Sequence, residues 1–267
     1  MNEDLLKQIK QLPPLPETAM GIEAVYQNPN STFEDMVKIL EKDPLLTADI
    51  LKSANSPLYG FSREITKVSQ AVSLFGMGTI RGFALASVIN NSFDLDLSPY
   101  NISNMQYTKR AEEQNAFITS WYIRKNPKIL GILSPAAFLI DIGKVIIAKS
   151  LLDNKKNDEF SKAIKDAESI SEVERAFVGS DTAHVTAKIF DHWRFEEDLI
   201  HSIEFSDTPQ EAPEEVTLCA QSLHVSKTLI KLDATLTPET IEAARTLAES
   251  YQLDLDSFDK AVENITQ

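Results

Sequence analysis

Apolar residues recur every three or four positions along most of this chain, and that spacing predicts helices joined by short turns. Thr18 to Gln27 carries Met20, Ile22, Ala24 and Val25 and is closed by Asn28-Pro29-Asn30. Ser31 and Thr32 precede Glu34 and Asp35 by three residues, the spacing of a capping box that opens a helix over Phe33 to Leu40. Asp43-Pro44 predicts another start, because the acid can cap and proline loses no needed donor at the first helical position. Asn55-Ser56-Pro57 ends it, since the residue before proline is pushed out of helical angles. Val68 to Phe75 and Thr79 to Asn90 follow, separated by Gly76-Met77-Gly78. The second is nearly all apolar and is therefore expected to be buried on most sides.

From Asn91 to Ser103 the chain reads as a loop and predicts a boundary between an amino-terminal helical subdomain, 1–98, and a second, 99–267. A long helix is expected from Met105 to Lys125, stopped by Asn126-Pro127. Ser134-Pro135 then opens the most apolar segment, Ala136 to Leu152. Further starts fall at Ser169 or Ser171, at Ser180 or Asp181, at Pro213 and at Thr237-Pro238, with a last helix to about Ile265. Nothing reads as a strand, so the expected fold is an all-α multi-helix bundle.

Composition narrows the picture. The chain of 267 residues has a formal charge of −14, which repels phosphate backbones and anionic membranes. Nucleic-acid binding and membrane association are accordingly not expected. Between Ser62 and Phe93 the only charged residues are Arg63, Glu64, Lys67 and Arg81, a local excess of positive charge. That stretch is either a solvated helix surface or a small anion-binding face. No apolar run long enough to span a bilayer stands out. Met1 to Lys10, with Glu3 and Asp4, does not read as a secretory signal, and Cys219 is the single cysteine. The expected location is a reducing cytoplasm.

Several phrases in the amino-terminal half occur in one order: Leu12-Pro13-Pro14-Leu15-Pro16, Asp43-Pro44-Leu45-Leu46-Thr47-Ala48 and Ala54-Asn55-Ser56-Pro57-Leu58-Tyr59-Gly60. Ile65-Thr66, Gln70-Ala71-Val72 and Leu74-Phe75-Gly76 follow. Together they resemble the HDOD family, the HD-related output domain of bacterial signalling proteins. A looser likeness continues through Ala137 to Lys144 and Phe190-Asp191-His192-Trp193. The resemblance implies a helical bundle leaning on a half shaped like an HD phosphohydrolase, and a regulatory module with no general enzymatic activity.

HD hydrolases hold a divalent metal through an early histidine, a His-Asp pair and a later aspartate, and the metal activates a water. Where the resemblance puts the His-Asp pair, this chain has Ile140-Asp141, and Tyr107 to Ala116 contains no histidine. No catalytic, metal or cofactor residue is therefore expected. Asp141 and Lys144 share a helix face. They form either a local ion pair or the lining of a vestigial pocket that still takes a polar ligand, with Gly143 allowing another backbone to approach. Asn55 and Tyr59 either terminate a helix and pack on the bundle or contact a partner.

The candidate ligand or partner surface thus comprises Asn55, Tyr59, Arg63, Arg81, Asp141 and Lys144. The expected role is that of a non-enzymatic regulatory module binding a protein partner, or a small ligand in the old cleft. Two alternatives remain open. One is a metal-dependent phosphohydrolase or phosphodiesterase rebuilt from Asp141, His184, His192 or His201. The other is a nucleotide or nucleic-acid binder using Arg63, Lys67 and Arg81.

Overall fold

The computed structural model describes residues 1–61, 63–93, 95–165 and 167–266, and every regular element among them is helical. The first helices are α1 (Glu3–Lys10), α2 (Glu17–Gln27), α3 (Phe33–Leu40), α4 (Pro44–Ala54) and α5 (Val68–Asn90). Then come α6 (Asn104–Tyr122), α7 (Leu130–Leu139), α8 (Gly143–Asp153), α9 (Asn157–Ala163) and α10 (Ile170–Val178). The chain closes with α11 (Thr182–His192), α12 (Glu197–Glu204), α13 (Glu214–Leu229), α14 (Pro238–Ser250) and α15 (Leu255–Thr266).

The caps fall where the side chains dictate. Thr32 and Asp35 form a reciprocal capping box for α3, and Asp43 accepts from the amides of Leu45 and Leu46 at the start of α4. Gly76 interrupts α5 at φ 79°, a left-handed region that favours glycine, so α5 is two helices meeting at a kink. α1 is an element the spacing did not suggest. Its apolar stripe is only Leu5 and Ile9, and it packs across the boundary onto α8 and α11. One apolar core runs through the whole fold, from Leu5 to Val262. Residue 98 begins a short turn, Ser98–Tyr100, while α5 and α7 pack against each other across that point.

The α5–α7 contact is unusually close. A Cβ on Gly78 would meet the backbone of Gly131 at 2.7 Å, and one on Gly82 would strike the Ser134 side chain and the Pro135 nitrogen. α7 begins at Leu130, not at Ser134-Pro135, so Pro135 sits inside the helix. A proline there removes the amide that would bond the carbonyl four residues back, that of Gly131. Arg81 Nη1 donates to this carbonyl at 2.9 Å instead. The tertiary partner makes good the lost helical bond, and this overrides the proline start signal.

Arg81 is itself a correction. The sequence reading placed it on a ligand surface, but its side chain is fully buried. It forks onto Glu23 at 2.6 and 2.7 Å and onto Glu196 at 2.6 and 2.7 Å, and it stacks on Tyr26 at 4.4 Å from the ring centre. All its donors face inward, and no anion from solvent reaches them. A shared anion face of Arg63, Lys67 and Arg81 is therefore absent.

Two helical stretches, Val68–Asn90 and Pro127–Asp153, are long and apolar enough to cross a membrane, contrary to expectation. Their most apolar windows are 61% and 94% buried inside the molecule, which accounts for that hydropathy as core packing.

Removing the guanidinium leaves the buried Glu23 carboxylate and the Gly131 carbonyl without their partner, and the half-buried Glu196 carboxylate without its own. Arg81→Met is expected to lower unfolding stability in urea by about 3–5 kcal/mol. Adding Glu23→Gln and Glu196→Gln should recover part of that loss, and no recovery would contradict a charge-based explanation.

Candidate functional site

Asp141 lies in a three-residue break between α7 and α8, spanning Ile140, Asp141 and Ile142. Thr186 of α11 holds this break open, its hydroxyl accepting from the Gly143 amide at 3.0 Å and donating to the Ile140 carbonyl at 3.0 Å. The approach requires Gly143, because a Cβ there would lie 2.6 Å from the Thr182 carbonyl oxygen. The turn thereby aims Asp141 at α6 rather than along its own helix.

There Asp141 meets Arg110, with which it forms a buried ion pair, and Lys144, whose Nζ is 3.7 Å away. Arg110 Nε donates to the Ile230 carbonyl at 3.1 Å, which fixes the guanidinium against the end of α13. Lys144 also donates to Glu174 at 3.1 Å and to Thr182 Oγ1 at 2.9 Å, and lies over the Tyr100 ring. Glu174 is fully buried and accepts from the Tyr100 hydroxyl and from the Thr182 amide and hydroxyl. Two carboxylates and two cations thus close a network in which each charge has a partner. Burial lowers the Arg110 pKa to about 10, leaving it protonated near neutrality.

Arg110, Asp141, Lys144, Tyr100 and Thr182 of this network line a cleft of about 780 Å³, together with Asp207, His224 and Lys227. Asp207 pairs with Lys227 and accepts from Ser171 at 3.1 Å. Burial opposes the Asp207 charge, but Lys227 and, more weakly, Lys144 outweigh it and hold the carboxyl at about 2. Burial and then Lys227 lower the His224 pKa, and its Nδ1 lies 2.8 Å from the Tyr251 hydroxyl.

An HD-type metal would need several lone-pair donors converging on Asp141. Arg110 and Lys144 carry N–H donors only, so neither can ligate. Among the described residues no three His, Cys, Asp or Glu side chains come together as a metal group. The donor set beside Asp141 does not fit a divalent ion. His184 is engaged with Asp181 at 2.9 Å at the N-cap of α11, and His192 Nε2 faces the Leu12 carbonyl at 3.4 Å. Cys219 is buried, and burial pushes its thiol up to about 12, far from a nucleophile.

Of the six residues singled out from sequence, Asp141 and Lys144 come together in this cleft, and Asn55 and Tyr59 line a separate, smaller pocket. Asn55 is bound locally: its amide donates to the Leu51 and Ile65 carbonyls and its oxygen accepts from the Ile65 amide. Tyr59 donates to Asn115 at 2.8 Å. Arg63 is exposed, on a separate loop. Arg110, Glu174, Thr182 and Tyr100 were missed. Arg110 had a signal, as the one arginine in the stretch searched for a histidine.

The molecule is thus an all-helical domain that presents Asp141 at a helical break. A family model for the HDOD domain matches residues 12–209, and the chain belongs to that family. It is similar over 99% of its length to a Campylobacter jejuni subsp. jejuni virulence factor of known structure, all of which is covered, at 32% identity and a TM-score of 0.60. Two further structures share the fold. One, from Shewanella amazonensis SB2B and provisionally named a phosphohydrolase, has 22% identity, a TM-score of 0.69 and coverage of 98% and 94%. The other, an HDOD domain protein of unknown function from Geobacter sulfurreducens, has 17% identity, a TM-score of 0.64 and coverage of 97% and 93%. A Treponema pallidum (strain Nichols) protein is 30% identical over 70 residues, a match spanning 26% of this chain and 14% of that protein.

Asp141→Leu or Arg110→Met alone should each lower stability by about 3–5 kcal/mol, because a buried charge loses its partner. In a double-mutant cycle read by urea unfolding, the double variant is expected to cost less than the sum by at least about 1 kcal/mol. Strict additivity would show that the pair is not coupled.

The Asp207 pair has a defined pH signature. The folded carboxyl titrates below the unfolded value of about 3.9, so its contribution is complete above that value. The contribution is lost as the pH falls toward about 2. Asp207→Asn should flatten the acid limb of a stability–pH curve, and an unchanged limb would remove the assignment.

Proposed function

We propose that this chain is a non-catalytic regulatory module in which fixed side-chain cations stand where an HD hydrolase keeps its metal charge. The carrying observation is the buried pairing of Asp141 with Arg110 and Lys144. A metal acts by polarising phosphate and making a bound water nucleophilic, and an ammonium or guanidinium supplies charge without an open coordination position. The cleft that remains, with the charges around Asp141 already partnered, suits recognition of a small polar ligand rather than turnover. On this reading the module works in the cytoplasm and passes on its state through a protein partner. Asp141, Arg110 and Lys144 lie where α6, α8 and the end of α13 meet, so a ligand that competes for one of these pairs would alter contacts among those helices.

Elemental analysis of the purified protein, together with assays on p-nitrophenyl phosphate and bis(p-nitrophenyl) phosphate, tests this. The expected result is no stoichiometric divalent metal and no turnover above buffer with added Mn²⁺ or Mg²⁺. A stoichiometric ion that disappears in Asp141→Ala, accompanied by phosphoester hydrolysis, would replace the proposal with the rebuilt-hydrolase alternative.

A further inference from the structure

Away from the Asp141 cleft, a groove of about 540 Å³ opens between the Pro57–Tyr59 turn, α5, the end of α6 and α15. Phe61 and Leu74 form its apolar ledge and are 42% and 41% exposed, a large fraction for adjoining apolar side chains. The ledge is rigidly backed. Phe61 packs edge-on against Phe75 at 5.2 Å, Phe75 against Phe83 at 5.3 Å, and Phe83 against Phe138 at 5.6 Å. An aromatic ladder therefore runs from the surface into the core, and it positions the exposed ring without needing a partner to order it.

The rim carries charge of the opposite sign to the rest of the molecule. Arg124, Lys125 and Lys260 line the groove, with Glu263 the one acid among its lining residues, giving +2 in a chain of −14. Lys125 is engaged with Asp254 at 3.0 Å. Arg124 and Lys260 have no ion-pair partner among the described residues, and they stand on different elements, α15 and the segment just after α6. α15 lies beyond the residues 12–209 matched by the family model.

We infer that this groove docks an acidic protein segment bearing one or two large apolar side chains, which seat on Phe61 and Leu74 while flanking carboxylates meet Arg124 and Lys260. The apolar ledge supplies area, and the two unpartnered rim cations select the sign of the partner and speed encounter. A basic segment would lose the rim contacts and keep only the ledge. This inference stands apart from the Asp141 cleft, and the metal and turnover measurements leave it untouched.

The test uses the full chain and three labelled synthetic peptides, followed by fluorescence anisotropy. One carries adjacent leucine and phenylalanine between acidic residues, the second has lysines for the acids, and the third has serines for the two apolar residues. Only the first is expected to bind, with affinity falling as salt rises from about 0.05 to about 0.3 M. Phe61→Ser, and separately Arg124→Glu with Lys260→Glu, should each weaken it about tenfold or more. Circular dichroism melts like those of the unsubstituted chain would confirm intact folds. No binding at about 1 mM peptide, equal binding of all three peptides, or indifference to both sets of substitutions would overturn the inference. So would sedimentation showing a dimer that these substitutions dissociate, since the occupant would then be a second copy.

Discussion

The structure depends on a single buried guanidinium. Arg81 joins α5 to α2 through Glu23, to α12 through Glu196 and to α7 through the Gly131 carbonyl. It reaches that carbonyl because Gly78 and Gly82 let α5 lie almost backbone to backbone on α7. The carbonyl is available because Pro135 cannot bond it. Six residues (an arginine, two glutamates, a proline and two glycines) are thus one device. Burying a charge is tolerable only with full pairing, and here the pairing also fixes how the amino-terminal helices sit on the rest.

The same rule governs the Asp141 site. A carboxylate in an apolar turn demands compensation, and the compensation chosen decides the chemistry open to the site. Arg110 and Lys144 neutralise Asp141 from inside the chain, and Glu174 in turn neutralises Lys144. The result is an inner network beside the cleft in which every charge is paired. Thr186 and Gly143 keep the break in place, so the arrangement is preorganised rather than adaptive.

Much of the fold was legible because local signals agreed with it. The caps at Thr32 and Asp43, the kink at Gly76 and the start of α14 at Pro238 follow from residues whose preferences are strong and short-ranged. Short helices such as α1, α9 and α12 were not, since two or three apolar residues give no periodicity to read. The α7 start was misread because the partner of the Gly131 carbonyl lies fifty positions earlier in the chain. The site was half legible. Asp141 with Lys144 is a helix-spacing relation, whereas Arg110, Glu174 and Tyr100 arrive from α6, α10 and the turn before α6. Arg81 misled for the same reason, since a lone cation in apolar sequence reads as surface until its distant acids are known.

The interior hydropathy of α5 and α7 has a consequence for how the chain is made. During synthesis α5 emerges complete while α7, its cover, has yet to be translated, so a helix apolar enough to resemble a membrane segment waits with one face bare. Association must then deliver a charged side chain and its two acids into the same seam at once, because any partial assembly strands a charge in oil. Such a nascent chain is a natural client for holding chaperones until the second half leaves the ribosome.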